Sequence, residues 1–424
     1  MCGGLTVIHF DFALPNTPPH RDSGEQCSLT TYTMTSSFNV TTQMTSPLTG
    51  NASQSAEDCI VLDINDTVPW DNPRNLMSPE TEYLIDRIKS AVFIPILYLI
   101  GVPANTVSML VFYRQGLKER IILCLFSLAC VDLIYLTLLF LMYAERIYTQ
   151  FTTGERFGPV YQFLMNNNVV GLYGIGYTSM FLAALISSER CLCVLFPMKS
   201  KTYFKTRTTA LVIIIGGCVT GFLRFAITAQ YRVACFFEKR ASEKTYQIYV
   251  TDYYLRNKEF VTKLDIVFYG FLMTVGCPLV VLITTTITTL KLRQTIAWRR
   301  QSTSTDLSSK EVGLTKMLIC LSVEFFVLSI PYIILRVAPL FIPQLSAGGD
   351  YRNTLWALLS VAELGSYVSS SVNFFVYYFA GSRFRETLHA MVKRKTKKLR
   401  KEGARQKIHS TFASESTIID STMS

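Results

Sequence analysis

The chain has 424 residues, half of them apolar, with 41 Lys and Arg against 30 Asp and Glu and a formal net charge of +11. Its mean hydropathy is only +0.29, yet apolar runs of about 20 residues recur between residues 87 and 380, which soluble cores do not produce and which argues against a soluble enzyme. Nucleic acid is not the expected partner of the excess charge: the basic residues sit in short segments between apolar runs and in the tail, as on the cytoplasmic faces of a membrane protein.

Residues 1–86 read as a polar, largely disordered head rich in Ser, Thr, Pro and Asn, with Arg21 and Arg74 against eleven acidic residues. The head carries three N-x-S/T glycosylation sequons, at Asn39, Asn51 and Asn65, and the sequence has none elsewhere. Its opening, MCGGLTVIHFDFALP, lacks a charged start and a sustained apolar run, so the first membrane helix is expected to act as the export signal. Seven apolar segments follow, at about 88–113, 120–143, 163–194, 208–230, 264–290, 314–340 and 354–380. Each is long enough for a helix to cross a hydrocarbon core of roughly 30 Å. Pro278 and Pro331 are expected to kink the fifth and sixth helices. The predicted fold is an all-α membrane protein, a seven-transmembrane helix bundle over 87–380, followed by a cytoplasmic tail over 381–424.

The loops at 113–120, 195–208 and 290–316 hold most of the basic residues between helices, Arg114, Lys118, Arg120, Lys199, Lys201, Lys205, Arg207, Lys291, Arg293, Arg299 and Arg300 among them, while the alternate loops are near neutral. Positive-inside bias puts these loops and the tail in the cytoplasm and the head outside, as the sequons do. Seven of the eleven cysteines lie in or beside apolar segments and read as small buried residues; Cys2, Cys27, Cys59 and Cys235 are in polar segments where pairing is plausible.

Polar groups inside hydrocarbon are costly and mark candidate sites. They are Asn105 in the first helix, Asp132 in the second, Ser179 and Glu189-Arg190 in the third, and Asn373 and Tyr377 in the seventh. In this order they resemble the rhodopsin-like (class A) G-protein-coupled receptors. GVPAN holds Gly101 and Asn105, LACVD ends at Asp132, and SSERC is followed by Pro197 seven residues after Arg190. Pro278 lies in the fifth helix, Phe325 six residues before Pro331 in the sixth, and Asn373-Phe-Phe-Val-Tyr377 in the seventh, before Phe384-Arg385 at the start of a short amphipathic eighth helix. The resemblance covers roughly residues 87–395.

There are departures. Phe374 replaces the usual proline of the seventh helix, Ser329 a common tryptophan of the sixth and Thr286 a common tyrosine of the fifth, and the fourth helix has no tryptophan. Met165 stands where the family has the cysteine that bonds the second outer loop, so that disulfide cannot form; Cys235 is left to bond Cys59 or Cys27, or to stay free. These departures look like those of divergent invertebrate receptors for neuropeptides or chemical cues.

The resemblance implies roles. Asp132, Ser179, Ser370 and Asn373 match the positions around an allosteric sodium ion; the alternative is a hydrogen-bonded packing network without an ion. Glu189, Arg190, Glu311 and Tyr377 form the G-protein coupling switch, with Glu311 on the sixth helix as the partner of Arg190; the alternative is that Arg190 merely snorkels to the interface. Pro278, Phe325, Pro331 and Asn373 match the activation core. Toward the outer side, Arg224, Tyr332, Arg336 and Glu363 form a candidate ligand pocket with both signs of charge, suited to a peptide or other polar ligand, unless Glu363 simply neutralises Arg336. Glu324, deep in the sixth helix, has no family role. Leu172, where amine receptors have an aspartate, argues against amines, and a seventh helix without lysine against a retinal Schiff base.

The basic run from Lys393 to Lys401 is expected to lie on anionic lipid, or to be a plain topology signal. Ser410, Thr411, Ser414, Ser416 and Thr417 are candidate targets for a receptor kinase and arrestin. The sequence therefore reads as a multi-pass plasma-membrane receptor, not an enzyme, that binds an extracellular ligand and activates a heterotrimeric G protein. A neuropeptide is the expected ligand, a small chemosensory cue the alternative, and a transporter or channel the competing class.

Overall fold

A computed structural model describes residues 60–62, 72–152, 158–196, 205–238, 243–301, 309–345, 349–394 and 396. Six of its helices are long and apolar enough to cross a membrane: Pro79–Gln115, Arg120–Thr149, Val169–Leu195, Thr206–Thr228, Asp252–Thr295 and Val312–Phe341. The seventh, Arg352–Ala380, is more polar. It is packed through Ser360, Ser369, Ser370, Ser371 and Asn373, all buried, because its polar face meets other helices rather than lipid. A further helix over 382–394 follows the bundle.

The first helix starts at Pro79, so the boundary set at residue 86 falls inside it. Ser78 is its N-cap, its hydroxyl accepting the Thr81 N–H, with Pro79 leading and Glu80 and Glu82 in the first turn. These are helix-start signals placed ahead of the apolar run. Residues Lys89–Phe93 form a π-helical segment, as do Leu264–Gly276 in the fifth helix, just before Pro278. A proline ring clashes with the carbonyl four residues back, and a wider turn relieves that clash. The Thr274 hydroxyl donates to the Tyr269 carbonyl at 2.7 Å, five residues back. Helices one, two and seven meet closely at Gly101, where a Cβ would stand 2.4 Å from Leu136 and 2.8 Å from the Ser371 hydroxyl.

One end of the bundle carries a three-stranded sheet, an addition to the helical fold that was expected. Strands β1 (Ile60–Leu62), β2 (Tyr231–Glu238) and β3 (Glu243–Val250) lie in that order. The β2–β3 hairpin is antiparallel, from Tyr231 opposite Val250 to Glu238 opposite Glu243. β1, from the head, adds in parallel with Ile60 opposite Phe236. At the opposite, tail end, Phe112, Leu125, Ile186, Met317, Tyr377 and Phe384 form one apolar cluster that seats the last helix. There Arg383 makes a paired contact with Glu119, at 2.6 and 2.7 Å. The guanidinium holds the Glu119 carboxyl below its ordinary value, so this tie persists at neutral pH and is lost as pH falls through that lowered range.

Candidate ligand cavity and switch

The hairpin is fastened to the third helix without the family disulfide. Met165, in the short helix Pro159–Asn166, is buried against Val233 of β2. Next to it the Asn166 amide donates to the Val233 carbonyl at 3.2 Å and accepts the Val233 N–H at 2.9 Å, while Arg232 donates to Asn168 at 2.6 Å. The start of this short helix rests on Glu145 of the second helix, whose carboxylate accepts the N–H groups of Val160 and Tyr161 at 2.8 and 2.7 Å. A Cβ on Gly158 would collide with that carboxylate, so the residue has to be small. In Asn166→Ala both clasp bonds go, and exchange of the Val233 amide should accelerate at least about tenfold, the equivalent of one to two net hydrogen bonds; unchanged exchange would mean the strand holds itself.

Cys235 is disulfide-bonded. The seven cysteines of the helical segments are free, and Cys2, Cys27 and Cys59 lie outside the described residues. The sequons at Asn39, Asn51 and Asn65 also fall outside them, as does the tail beyond residue 396.

Beneath the sheet lies a cavity of about 210 Å³, lined on several helices by Tyr135, Tyr177, Arg224, Phe325, Tyr332 and Glu363 among others. Of the expected ligand residues, Arg224, Tyr332 and Glu363 face it; Arg336 lines a neighbouring cavity. The alternative in which Glu363 neutralises Arg336 is not what the structure has: the two pair with other residues. Glu363 accepts from Lys89 at 3.3 Å and from the Tyr367 hydroxyl at 3.3 Å. Arg336 instead lies 3.6 Å from Asp265, which Arg224 also approaches at 3.4 Å. Lys89 and Asp265 were missed as site residues, Lys89 because it stands at the polar edge of the first apolar run and Asp265 because it is the second residue of the fifth.

At mid-bundle, Asp132 is fully buried. Its Oδ1 accepts the hydroxyls of Ser179 and Ser370 at 2.7 and 2.9 Å, and its Oδ2 the Asn373 amide at 2.8 Å. Three donors from two helices satisfy the carboxylate as a packing network. The same Oδ1 and two hydroxyl oxygens also make a hard oxygen set of the kind a small alkali cation accepts, although Asn373 turns its nitrogen inward. Phe325 borders this layer and the large cavity. Pro278 is buried, whereas Pro331 is exposed on the bundle surface. Glu324 takes one bond, from Ser369 at 3.4 Å, and its other oxygen is buried without a partner.

Near the tail end, Glu189 lies 3.5 Å from both Arg190 and Arg120 of the second helix. These are long ion pairs, and they place Arg190 at 17% side-chain exposure rather than snorkelled into solvent. The Glu311 side chain lies outside the described residues. Tyr377 is fully buried against Phe112 and Phe384, at ring distances of 5.0 and 5.6 Å, and its hydroxyl has no partner. An unsatisfied buried hydroxyl costs about 1–3 kcal/mol. Tyr377→Phe should therefore raise the thermal midpoint of this form by a few degrees, and an unchanged or lower midpoint would contradict that account.

Seven helices, a cavity under one end and a half-buried Arg-Glu pair at the other are the layout of a serpentine receptor. The chain belongs to the family described as serpentine type 7TM GPCR chemoreceptor Srw, which matches residues 92–395, and is a multi-pass membrane receptor rather than an enzyme. Among relatives, it is 24% identical to the FMRFamide receptor of Drosophila melanogaster over 69% of this chain and 52% of that one, about half the relative's length. It is 26% identical to the C5a anaphylatoxin chemotactic receptor 1 of Cavia porcellus over 76% of this chain and 86% of that one. It is 24% identical to the probable G-protein coupled receptor frpr-1 of Caenorhabditis elegans over 71% of this chain and 78% of that one.

Proposed function

We propose that the hairpin end faces outside and receives a peptide, and that the opposite end, with Arg190, engages a heterotrimeric G protein. The observation that carries the peptide reading is the lining of the cavity beneath the sheet, walled by tyrosines and by side chains of both charge signs. Charges of both signs and several hydroxyls around one opening suit the backbone and charged groups of a peptide. The relatives named for FMRFamide and C5a support it. The positive loops and the sequons of the head support the orientation. The tail hydroxyls are targets for a receptor kinase and arrestin, and the basic run rests on anionic lipid.

The family description keeps chemosensory ligands as a second reading. Cells expressing the chain and a G-protein reporter are to be screened with amidated and free-acid peptides alongside small amines, acids and sugars. A response to peptides below micromolar concentration supports the proposal, and a response confined to the small molecules replaces it with the second reading. We also propose sodium at the Asp132 site. Agonist affinity that falls as sodium replaces a larger cation supports it; indifference leaves the packing network.

A further inference from the structure

Two clusters of opposite charges stand among the helices toward the hairpin end. In the first, Asp86 and Glu363 face Lys89 and Arg146: Lys89 lies 3.1 Å from Asp86 and 3.3 Å from Glu363, and Arg146 bonds Asp86 directly. Two acids meet two bases in that group. In the second, Arg224 of the fourth helix and Arg336 of the sixth share one oxygen of Asp265, at 3.4 and 3.6 Å. No other acid pairs with either guanidinium among the described residues. One positive charge is therefore left over at side chains only 25%, 32% and 27% exposed for Arg224, Asp265 and Arg336. A half-buried cation in excess favours an anion with it.

The surroundings are arranged for a ligand group rather than for closure. The Arg224 guanidinium lies over the rings of Tyr177 and Tyr269, at 5.7 and 5.4 Å, which fixes its plane. Its Nε is shielded from solvent and has no hydrogen-bond partner. The trio stands between two cavities: Arg224 lines the one described above, while Asp265 and Arg336 line a second, of about 220 Å³. The second is walled by apolar groups such as Phe271, Leu335 and Leu359, and by Trp356, whose indole N–H is also shielded and unpartnered.

We propose that the Arg224–Arg336 pair binds a carboxylate of the ligand, and that the second cavity takes the apolar side chain next to that carboxylate. The excess of one charge matches a monoanion, and a planar carboxylate fits the guanidinium fork. Asp265 bridges the two arginines but neutralises only one of them, so a ligand carboxylate answers the remaining charge and a neutral amide in the same place gains little. The ligand class is a molecule with a hydrophobic group beside a free carboxylate, such as a peptide ending in an aromatic or aliphatic acid. This deepens the ligand-cavity reading above and rests on it.

The test uses the purified full chain in lipid nanodiscs, with thermal unfolding as the readout, and N-acetyl-phenylalanine and N-acetyl-phenylalanine amide as matched probes. Each is added at about 10 mM, in the millimolar range of affinity expected for a fragment of this size. The acid should raise the midpoint by roughly 2 °C or more and the amide by much less. Arg336→Gln and Arg224→Gln should abolish the difference, and Asp265→Asn, which removes the competing carboxylate, should enlarge it. Equal shifts from acid and amide, no shift from the acid, or a wild-type response in Arg336→Gln would overturn the proposal. If the glutamine variants do not fold, the acid-to-amide comparison on wild type and Asp265→Asn still decides it. The assay reads no G-protein signal, so the assignment as a peptide receptor stands or falls separately.

Discussion

Asp132→Ala is expected to yield a receptor that unfolds at least several degrees earlier, with little of it monodisperse after extraction. The alanine removes the one acceptor shared by Ser179, Ser370 and Asn373, all buried or half-buried. Interhelical hydrogen bonds in membranes average only about 0.6 kcal/mol each, but three donors that lose their common acceptor raise the cost to about 2–5 kcal/mol. Asp132→Asn keeps the shape and one acceptor and should lose less. The thermal midpoint checks both variants. A shift under about one degree in Asp132→Ala would mean that the three donors find other acceptors and that the carboxylate does not tie helices two, three and seven together.

The second large effect is expected at Glu189. Its carboxylate stands between Arg190 and Arg120, so Glu189→Gln removes the charge that holds both. A two-state element biased by about 1–2 kcal/mol shifts roughly five- to thirtyfold. Basal nucleotide exchange should rise within that range while surface expression is kept. Unchanged basal exchange would place the restraint on Arg190 elsewhere, with Glu311 the next residue to test.

The helical frame was legible because hydrocarbon demands long apolar runs, and the Asp132 layer because costly polar residues recur at family positions. The sheet was not found, although Tyr231-Arg-Val-Ala-Cys and Tyr246-Gln-Ile-Tyr alternate large apolar and other residues with the period of a strand. Reading the loop only for charge hid it. Charge partners were the least legible. Arg336 pairs with Asp265 and Glu363 with Lys89 because the fifth and first helices extend beyond their apolar cores, an extension set by capping residues such as Ser78 and by tertiary packing rather than by hydropathy. The clasp of Asn166 on Val233 likewise depends on which strand residue reaches it, which spacing along the chain does not reveal.

Ligand-stimulated guanine-nucleotide exchange by a reconstituted heterotrimeric G protein, measured with wild type and Arg190→Ala side by side in lipid vesicles, separates a receptor from a transporter most directly. Stimulation by wild type that is abolished in Arg190→Ala, while the variant still binds the agonist, is the predicted result. Passage of the ligand across the vesicle membrane without exchange, or exchange undiminished in Arg190→Ala, would contradict it.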